Sequence, residues 1–469
     1  MTYYLAVDIG ASSGRHILGC VQDGRIELEE VYRFDNQLEE KDGTLCWDAE
    51  GLFAHIKAGM KECARLGKIP ITMGLDTWGV DFALLDGRDR RLGACVAYRD
   101  HRTDGMDAAV DAIIPYPELY ARTGIHRNIF NTIYQLMALK RKEPTLLSEA
   151  ESLLFTPDYH HFRLTGVKKQ EYTMASTSGL LNAKTRDWDT DIIDKLGLPK
   201  KLFGPIAMPG STVGRLLPEV EKEVGFGCAV VLPASHDTGS AYMAVPAKSA
   251  GSVYLSSGTW SLLGLEIDTP ILTDKARDSA FTNEGGYTGS IRFLQNIMGL
   301  WMIQSIRREY DKKYSYAEME AMAREATDFT SQVDVNDQRF LSPKSMKTAI
   351  RAYCMETNQP VPSSLGQMVQ CVYVSLAACY ARAIENLREI TQKSFDAIHI
   401  VGGGSKDVYL NQLTADATGL PVHAGPIEGT VIGNLMAQMI ADGAFSNLAD
   451  ARAAVARSFP LATFEPRRP

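Results

Sequence analysis

The sequence predicts a two-domain α/β protein in which each half opens on a strand, a turn of small residues and a second strand. Three observations carry that expectation. A chain of 469 residues is too long for one ordinary core and suits two domains of roughly 200 residues or slightly more. Its first elements fall in the order βββαβ, which differs from a dinucleotide-binding start. A stretch of the same kind as the opening hairpin returns roughly 245 residues later, so the halves read as two versions of one unit.

The opening hairpin is Leu5-Ala-Val-Asp-Ile-Gly-Ala-Ser-Ser-Gly-Arg15. Leu5, Val7 and Ile9 alternate as one strand, and Ile17, Leu18 and Val21 restart the pattern as another. The tip, Gly10 to Gly14, has two glycines, an alanine and two hydroxyls where a tight hairpin would need only Asn-Gly. Such a tip offers backbone N–H groups that cradle phosphate, or it is a solvated turn. Asp8 before it suits a hydrated Mg2+, and Arg15 after it suits phosphoryl oxygens. The glycine spacing matches neither a Walker loop nor a dinucleotide fingerprint.

Asp23-Gly24 marks a turn into a third strand with Ile26, Leu28 and Val31. Asp48 then caps a helix whose apolar stripe is Leu52, Phe53, Ile56, Met60 and Cys63, and residues 71–75 form the next strand. That strand ends in Asp76-Thr-Trp-Gly-Val-Asp81, polar residues where α/β proteins bind ligands. Trp78 beside Gly79 offers a flat ring and bare backbone to a sugar, or Trp78 is core. The stretch Tyr98-Arg-Asp-His-Arg102 is a hydrogen-bonding cluster or a solvated charged loop. Residues 105–225 are helix-rich with irregular joins, expected to wall a substrate pocket. The adjacent His160 and His161 cannot face one metal from a helix and are expected as ordinary histidines. After the apolar strand 228–232 comes Pro233-Ala-Ser-His-Asp-Thr-Gly-Ser-Ala241. There Asp237 is placed either to take a proton from a substrate hydroxyl or to cap the helix that follows.

Residues 243–252 have the composition of a crossover, which divides the chain into domains 1–244 and 245–469. Val253-Tyr-Leu-Ser-Ser-Gly-Thr-Trp-Ser-Leu-Leu263 then repeats the opening motif in kind. Asn283-Glu-Gly-Gly286 follows, then Asn296-Ile-Met-Gly-Leu-Trp301 leading into a helix that passes Gln304. Residues 367–391 are the most periodic helix, with Val372, Leu376, Tyr380, Ile384 and Leu387 on its core face. The strand 397–401 ends in Gly402-Gly-Gly404, where three glycines allow an adenosine ring or ribose to lie on backbone.

Charge and apolar patterning exclude several functions. With 49 Lys and Arg against 57 Asp and Glu, the net charge is −8 and no basic patch stands out, so neither nucleic acid nor an anionic membrane is an expected partner. No apolar run approaches the roughly 20 residues needed to span a bilayer, and the first strand follows directly on Met1, which is the pattern of a cytoplasmic protein. The eight cysteines form no C-x-x-C pair and read as buried thiols, with a Cys354 to Cys371 bridge left open.

These strings, in this order, resemble the FGGY carbohydrate kinases, within the two-domain actin/hexokinase-like (ribonuclease H-like) fold. The resemblance rests on Val7-Asp-Ile-Gly-Ala-Ser-Ser-Gly-Arg15, Asp76-Thr-Trp-Gly-Val-Asp-Phe82, Tyr98-Arg-Asp100, Ser235-His-Asp-Thr238, Tyr254-Leu-Ser-Ser-Gly-Thr-Trp-Ser261, Asn296-Ile-Met-Gly-Leu-Trp301 and Gly402-Gly-Gly404. It spans essentially the whole chain. It implies ATP-dependent phosphorylation of a small ketose, with ATP in the interdomain cleft. By motif, Asp237 is the base, and Gly79, His236, Asp237, Thr238 and Asn296 surround the sugar. Ala11, Ser12, Ser13, Gly14, Arg15, Thr259, Gln304 and Gly402 contact ATP, and Asp8 serves Mg2+. Two departures narrow the substrate within the family. His236 stands where many relatives have glycine, and the usual Lys-aromatic-x-Trp signature is missing, the nearest stretch being Phe130 to Leu136.

Overall fold

In a computed structural model that describes residues 1–247, 249 and 251–467, the chain forms two compact units. The first unit takes Met1–Ala244, Glu266–Phe293 and Gly429–Ser458; the second takes Val245–Leu265, Leu294–Glu428 and Phe459–Pro469. The expected crossover at 243–252 includes Lys248 and Ala250, which lie outside the described residues.

A six-stranded sheet carries the first unit, in the order Thr212–Arg215, Ala229–Val231, Pro70–Thr77, Tyr3–Ile9, Ser13–Gln22 and Arg25–Asp35. The first three strands of the chain pair antiparallel, and Tyr3–Ile9 also pairs parallel with Pro70–Thr77. Leu5, Val7 and Ile9 are fully buried, and Tyr4, Ala6 and Asp8 between them are buried as well, so this strand is covered on both faces. The helix Ala49–Arg65 lies on this sheet; Asp48 caps it by accepting from Gly51 N, and the predicted stripe from Leu52 to Cys63 is its buried face. The glycine of the first tip answers to packing. A Cβ on Gly14 would stand 2.1 Å from the Phe34 ring, so only glycine lets the second strand cross the third there.

Residues 105–225 are helix-rich, as expected, but they are not only an insertion. Ser152–Phe155 pairs antiparallel with Phe82–Leu85 over a separate apolar cluster that includes Phe82, Ile133, Leu136 and Phe155. Thr212–Arg215 joins the main sheet as its edge strand. Both strands are four residues long, too short to show a period in sequence. His160 and His161 are buried in the helix Thr156–Thr165, and burial pushes both imidazoles down to about 3.

The second unit is built on Trp260–Ile267, Ser252–Ser257, Ala397–Val401, Val422–Ala424 and Ala462–Phe464, adjacent in that order. Ser252–Ser257 runs antiparallel to Trp260–Ile267 and parallel to Ala397–Val401, the same neighbour pattern as Tyr3–Ile9 in the first unit. The helix Leu365–Thr391 buries Val372, Leu376, Tyr380, Ile384 and Leu387, as its period predicts. All eight cysteines are free and buried, including Cys354 and Cys371. Among the described residues no helix is long and apolar enough to cross a membrane.

Candidate active site

Three carboxylates mark the carboxyl ends of the first unit's central strands. Asp8 and Asp76 are opposite one another in the parallel register, and Asp8 faces Arg15 across the hairpin. Arg15 donates from Nε and a terminal nitrogen to Asp8 Oδ2 at 3.0 and 2.9 Å. Asp76 is fully buried; its Oδ2 accepts from Asn434 Nδ2 at 2.6 Å, while Oδ1 has no hydrogen-bond partner. Burial, then the charges of Asp8 and Asp237, hold its carboxyl well above the usual carboxylate range. The tip itself is braced by Asn36, just past the end of the third strand, which donates to the carbonyls of Gly10 and Ser12.

The turn after Asp76 is strained and tightly held. Val80 has φ of +68°, a left-handed conformation costly for a β-branched residue and one that clusters at functional sites. Its carbonyl accepts from Thr132 Oγ1 at 2.7 Å. Asp81 is buried and accepts from Trp47 Nε1, Trp78 Nε1, Tyr98 N and Gln135 Nε2. These bonds offset the burial that raises its carboxyl. Trp78 is 6 % exposed and belongs to the apolar core, its ring 4.0 Å from that of Trp47. Of the two readings of Trp78, the structure supports core. Gly79 meets His236 instead: a Cβ there would stand 3.2 Å from His236 Nε2. In the loop that follows, Asp100 accepts from Leu45 N and Arg102 N, so that cluster braces the chain.

Ser235 to Thr238 lie against this turn. Thr77 bridges His236 in parallel, with Thr77 N donating to Ser235 O. His236 N donates to Thr173 Oγ1, which itself donates to the buried Glu171. The helix Asp237–Met243 begins at Asp237, and His236 occupies the cap position without a side-chain cap bond. Asp237 is therefore not the N-cap. Its Oδ1 accepts from Thr238 N at 2.6 Å and Thr238 Oγ1 at 3.1 Å, with His236 Nε2 at 3.5 Å. One-third of its side chain stays accessible (33 %). Burial lifts its carboxyl above the usual range; His236 opposes this shift and Asp8 adds to it. The helix is seated by Gly433, where a Cβ would stand 1.8 Å from Ser240 O.

In the second unit, Thr259, Gln304 and Gly402 converge on one tip. Thr259 Oγ1 lies 3.4 Å from Gln304 Oε1, and the carbonyls of Gly258 and Thr259 accept from Leu300 N and Trp301 N at the start of the helix Trp301–Arg308. Gly402 has φ of +88°, and a Cβ on it would stand 2.8 Å from Ser257 O, so the triple-glycine turn packs on the hairpin tip. A Cβ on Gly403 would meet nothing within 4 Å, which leaves open backbone there. Asn296 is half-buried on the strand Ile291–Met298, which precedes that helix.

Sequence reasoning gave no role to Asp76, Glu284, Arg292 or Asn434. Arg292 was visible as one charge inside the apolar run Ile291-Arg-Phe-Leu294, and Glu284 as a carboxylate in the string Asn283-Glu-Gly-Gly286. Asn434 carries no such signal, because nothing in its helix Gly429–Ala441 marks it out from the neighbouring polar Gln438.

Two halves of one family cover the chain. The N-terminal domain of the FGGY carbohydrate kinases matches residues 3–244, and the C-terminal domain matches residues 253–441. Among similar curated proteins, the rhamnulokinase of Halalkalibacterium halodurans is 50 % identical over 462 residues, covering 98 % of each chain. That of Bacillus subtilis is 40 % identical over 465 residues, covering 99 % of this chain and 95 % of its own. Gluconate kinase from Lactobacillus acidophilus superposes with a TM-score of 0.81 at 17 % identity, covering 99 % of this chain and 94 % of its own. Plasmodium falciparum glycerol kinase with ADP does so at 0.78 and 14 %, covering 100 % and 94 %. These last two likenesses establish the fold. An acid-tipped hairpin, a partly open Asp237 and full-length matches to both halves lead to one conclusion: the chain belongs to the FGGY family of carbohydrate kinases.

Proposed function

We propose that this protein transfers the γ-phosphoryl group of ATP to the C1 hydroxyl of L-rhamnulose, giving L-rhamnulose 1-phosphate and ADP. The observation that carries the substrate is the near-full-length identity, at 40 to 50 %, to rhamnulokinases of several bacteria. Membership of a carbohydrate kinase family brings ATP and a sugar as the two substrates.

Phosphoryl transfer asks a protein for in-line positioning and charge neutralisation more than for covalent help. With Thr238 occupying Oδ1, Oδ2 of Asp237 is the oxygen that takes the proton from the sugar hydroxyl as its oxygen attacks the γ-phosphorus. The bond to the bridging oxygen breaks, and that oxygen leaves with ADP. Gly79, His236, Thr238 and Asn296 surround the ketose in this reading. The residues assigned to ATP in this reading are Ala11, Ser12, Ser13, Gly14, Arg15, Thr259, Gln304 and Gly402.

The first unit also suits a hydrated Mg2+ at Asp8. Among the described residues no three His, Cys, Asp or Glu side chains form a metal-binding group, so an ion here would draw on one or two carboxylates and on phosphate and water, as Mg2+ prefers. Asp8 and the buried, unpartnered Oδ1 of Asp76 are those carboxylates. When bound, the ion neutralises charge on the β- and γ-phosphates.

The test is ADP release from Mg-ATP against L-rhamnulose, L-fuculose, L-xylulose, D-xylulose and glycerol, with the position of the new phosphate read by NMR. Preference for L-rhamnulose with phosphate on C1 is expected. Preference for L-fuculose would overturn the substrate, and no sugar-dependent turnover would overturn the reaction.

A further inference from the structure

A buried ion pair stands behind His236 and has no place in the transfer itself. Arg292 is fully buried and Glu284 is 6 % exposed. Arg292 donates from Nε to Gly285 O at 2.7 Å, and a terminal nitrogen lies 3.1 Å from His236 Nδ1. Its other terminal nitrogen lies 3.2 Å from Glu284 Oε2, and that same oxygen is 3.4 Å from His236 Nδ1. All three residues belong to the first unit.

We infer that Arg292 and Glu284 are positioning residues that set the tautomer of His236, so that its Nε2 carries the hydrogen presented to Asp237 and to the sugar. The chemistry is one-directional. A guanidinium has donors only, so in its contact with Nδ1 the imidazole nitrogen must accept. In a neutral ring the hydrogen then sits on Nε2. That nitrogen is the one 3.5 Å from Asp237 Oδ1 and the one that Gly79 leaves room for. Glu284 plays a separate part: its charge offsets that of Arg292, which would otherwise be buried alone at high cost. A buried ion pair is weak grounds for stability, since apolar residues of similar volume often do as well. Its value here is that it leaves His236 one hydrogen-bonding choice.

The two partners also make opposite predictions. Without Arg292, the Glu284 carboxylate still faces Nδ1 and accepts from it, which moves the hydrogen from Nε2 to Nδ1. Replacing Glu284 by glutamine in that background supplies an amide N–H to donate to Nδ1, which restores the original tautomer.

The experiment records ring 15N shifts of the nine histidines in the full chain, with His236 assigned from the signal lost in His236→Gln. Kinetics are followed in parallel. In the unaltered protein His236 is expected as the Nε2–H form. Arg292→Met is expected to shift it to Nδ1–H and to lower kcat/KM for L-rhamnulose by about 10²-fold, with the KM for ATP unchanged. The double variant Arg292→Met, Glu284→Gln is expected to recover the Nε2–H form and part of kcat/KM. A Nδ1–H ring in the unaltered protein would overturn the proposal by itself, even if Arg292→Met failed to fold. A tautomer that Arg292→Met leaves in place would do the same. The sugar side of this inference rests on the functional reading above. Absence of turnover with L-rhamnulose would refute that reading and leave the tautomer as the deciding result here.

Discussion

At the scale of single residues, the site is organised by which oxygen or nitrogen is already occupied. Thr238 holds Asp237 Oδ1 with two donors, so the partly accessible carboxylate has one oxygen for work. Burial and Asp8 raise its carboxyl. A base works only when deprotonated, so kcat/KM for the sugar falls as pH drops through that raised pKa. The acid limb of the pH profile is therefore expected above the ordinary carboxylate range, and a limb at the ordinary position would contradict the assignment. Gly79 tests the geometry. A methyl there would stand 3.2 Å from His236 Nε2, so the ring must give by a few tenths of an ångström. Gly79→Ala is expected to lower kcat/KM for the sugar by about 10²-fold and to leave the KM for ATP alone. Steady-state kinetics at varied sugar and varied ATP separate the two effects.

At the scale of elements, the helix that carries Asp237 is placed by its neighbours more than by its own seven residues. It meets the helix Gly429–Ala441 at Gly433, and Asn434 and Gln438 on that helix donate to Asp76 and to the carbonyls of Gly74 and Leu5. One helix thus positions both Asp237 and the neighbouring buried Asp76. A Cβ on Gly433 would fall 1.8 Å from Ser240 O, a backbone atom that cannot rotate away. Gly433→Ala is expected to cost about 1–3 kcal/mol or more, as overpacked cores do, and to lower turnover with it. Denaturant unfolding measures the first. A variant of unchanged stability would show that these helices separate freely.

At the scale of the whole molecule, buried titratable groups set the pH range of stability. Burial lowers His16 and His126 to about 4 and His160 and His161 to about 3, from 6.5. Below 6.5 the unfolded chain takes up protons at these sites and the folded chain does not, so stability falls as pH falls from 6.5. Glu171 acts the other way. Burial raises it from 4.5 to about 7, so the stability it contributes is complete below 4.5 and is lost as pH rises through 7. The buried carboxyls of Asp76, Asp81, Asp158, Asp237 and Asp407 are raised by burial in the same sense as Glu171, so the histidines and the carboxyls oppose one another as pH falls. Removing one histidine separates the two sets: between pH 7 and pH 5 the thermal midpoint of His161→Gln is expected to fall less, or rise more, than that of the unaltered protein, and an unchanged pH dependence would contradict this account.

The frame was legible because its signals are local. The alternation of Leu5, Val7 and Ile9, the Asp48 cap and the period of Leu365–Thr391 are each written within one element. Asp8 and Asp237 were legible from strings that place them beside strand ends, whereas His236 was assigned only through the family resemblance. The partners of those residues were hidden because they come from afar. Asn434 reaches Asp76 across 358 positions, and Arg292 reaches His236 across 56. Trp78 was ambiguous for a related reason: its core role depends on Trp47 and Asp81, and neither contact has a sequence period.

The central claim is that Asp237 drives sugar-dependent transfer from ATP. Comparing Asp237→Asn with the unaltered protein, by ADP release with L-rhamnulose and by calorimetric titration with ATP, tests it most directly. Removing a general base should lower kcat by about 10²- to 10⁴-fold while ATP binding is kept. Near-normal turnover by Asp237→Asn would contradict the account.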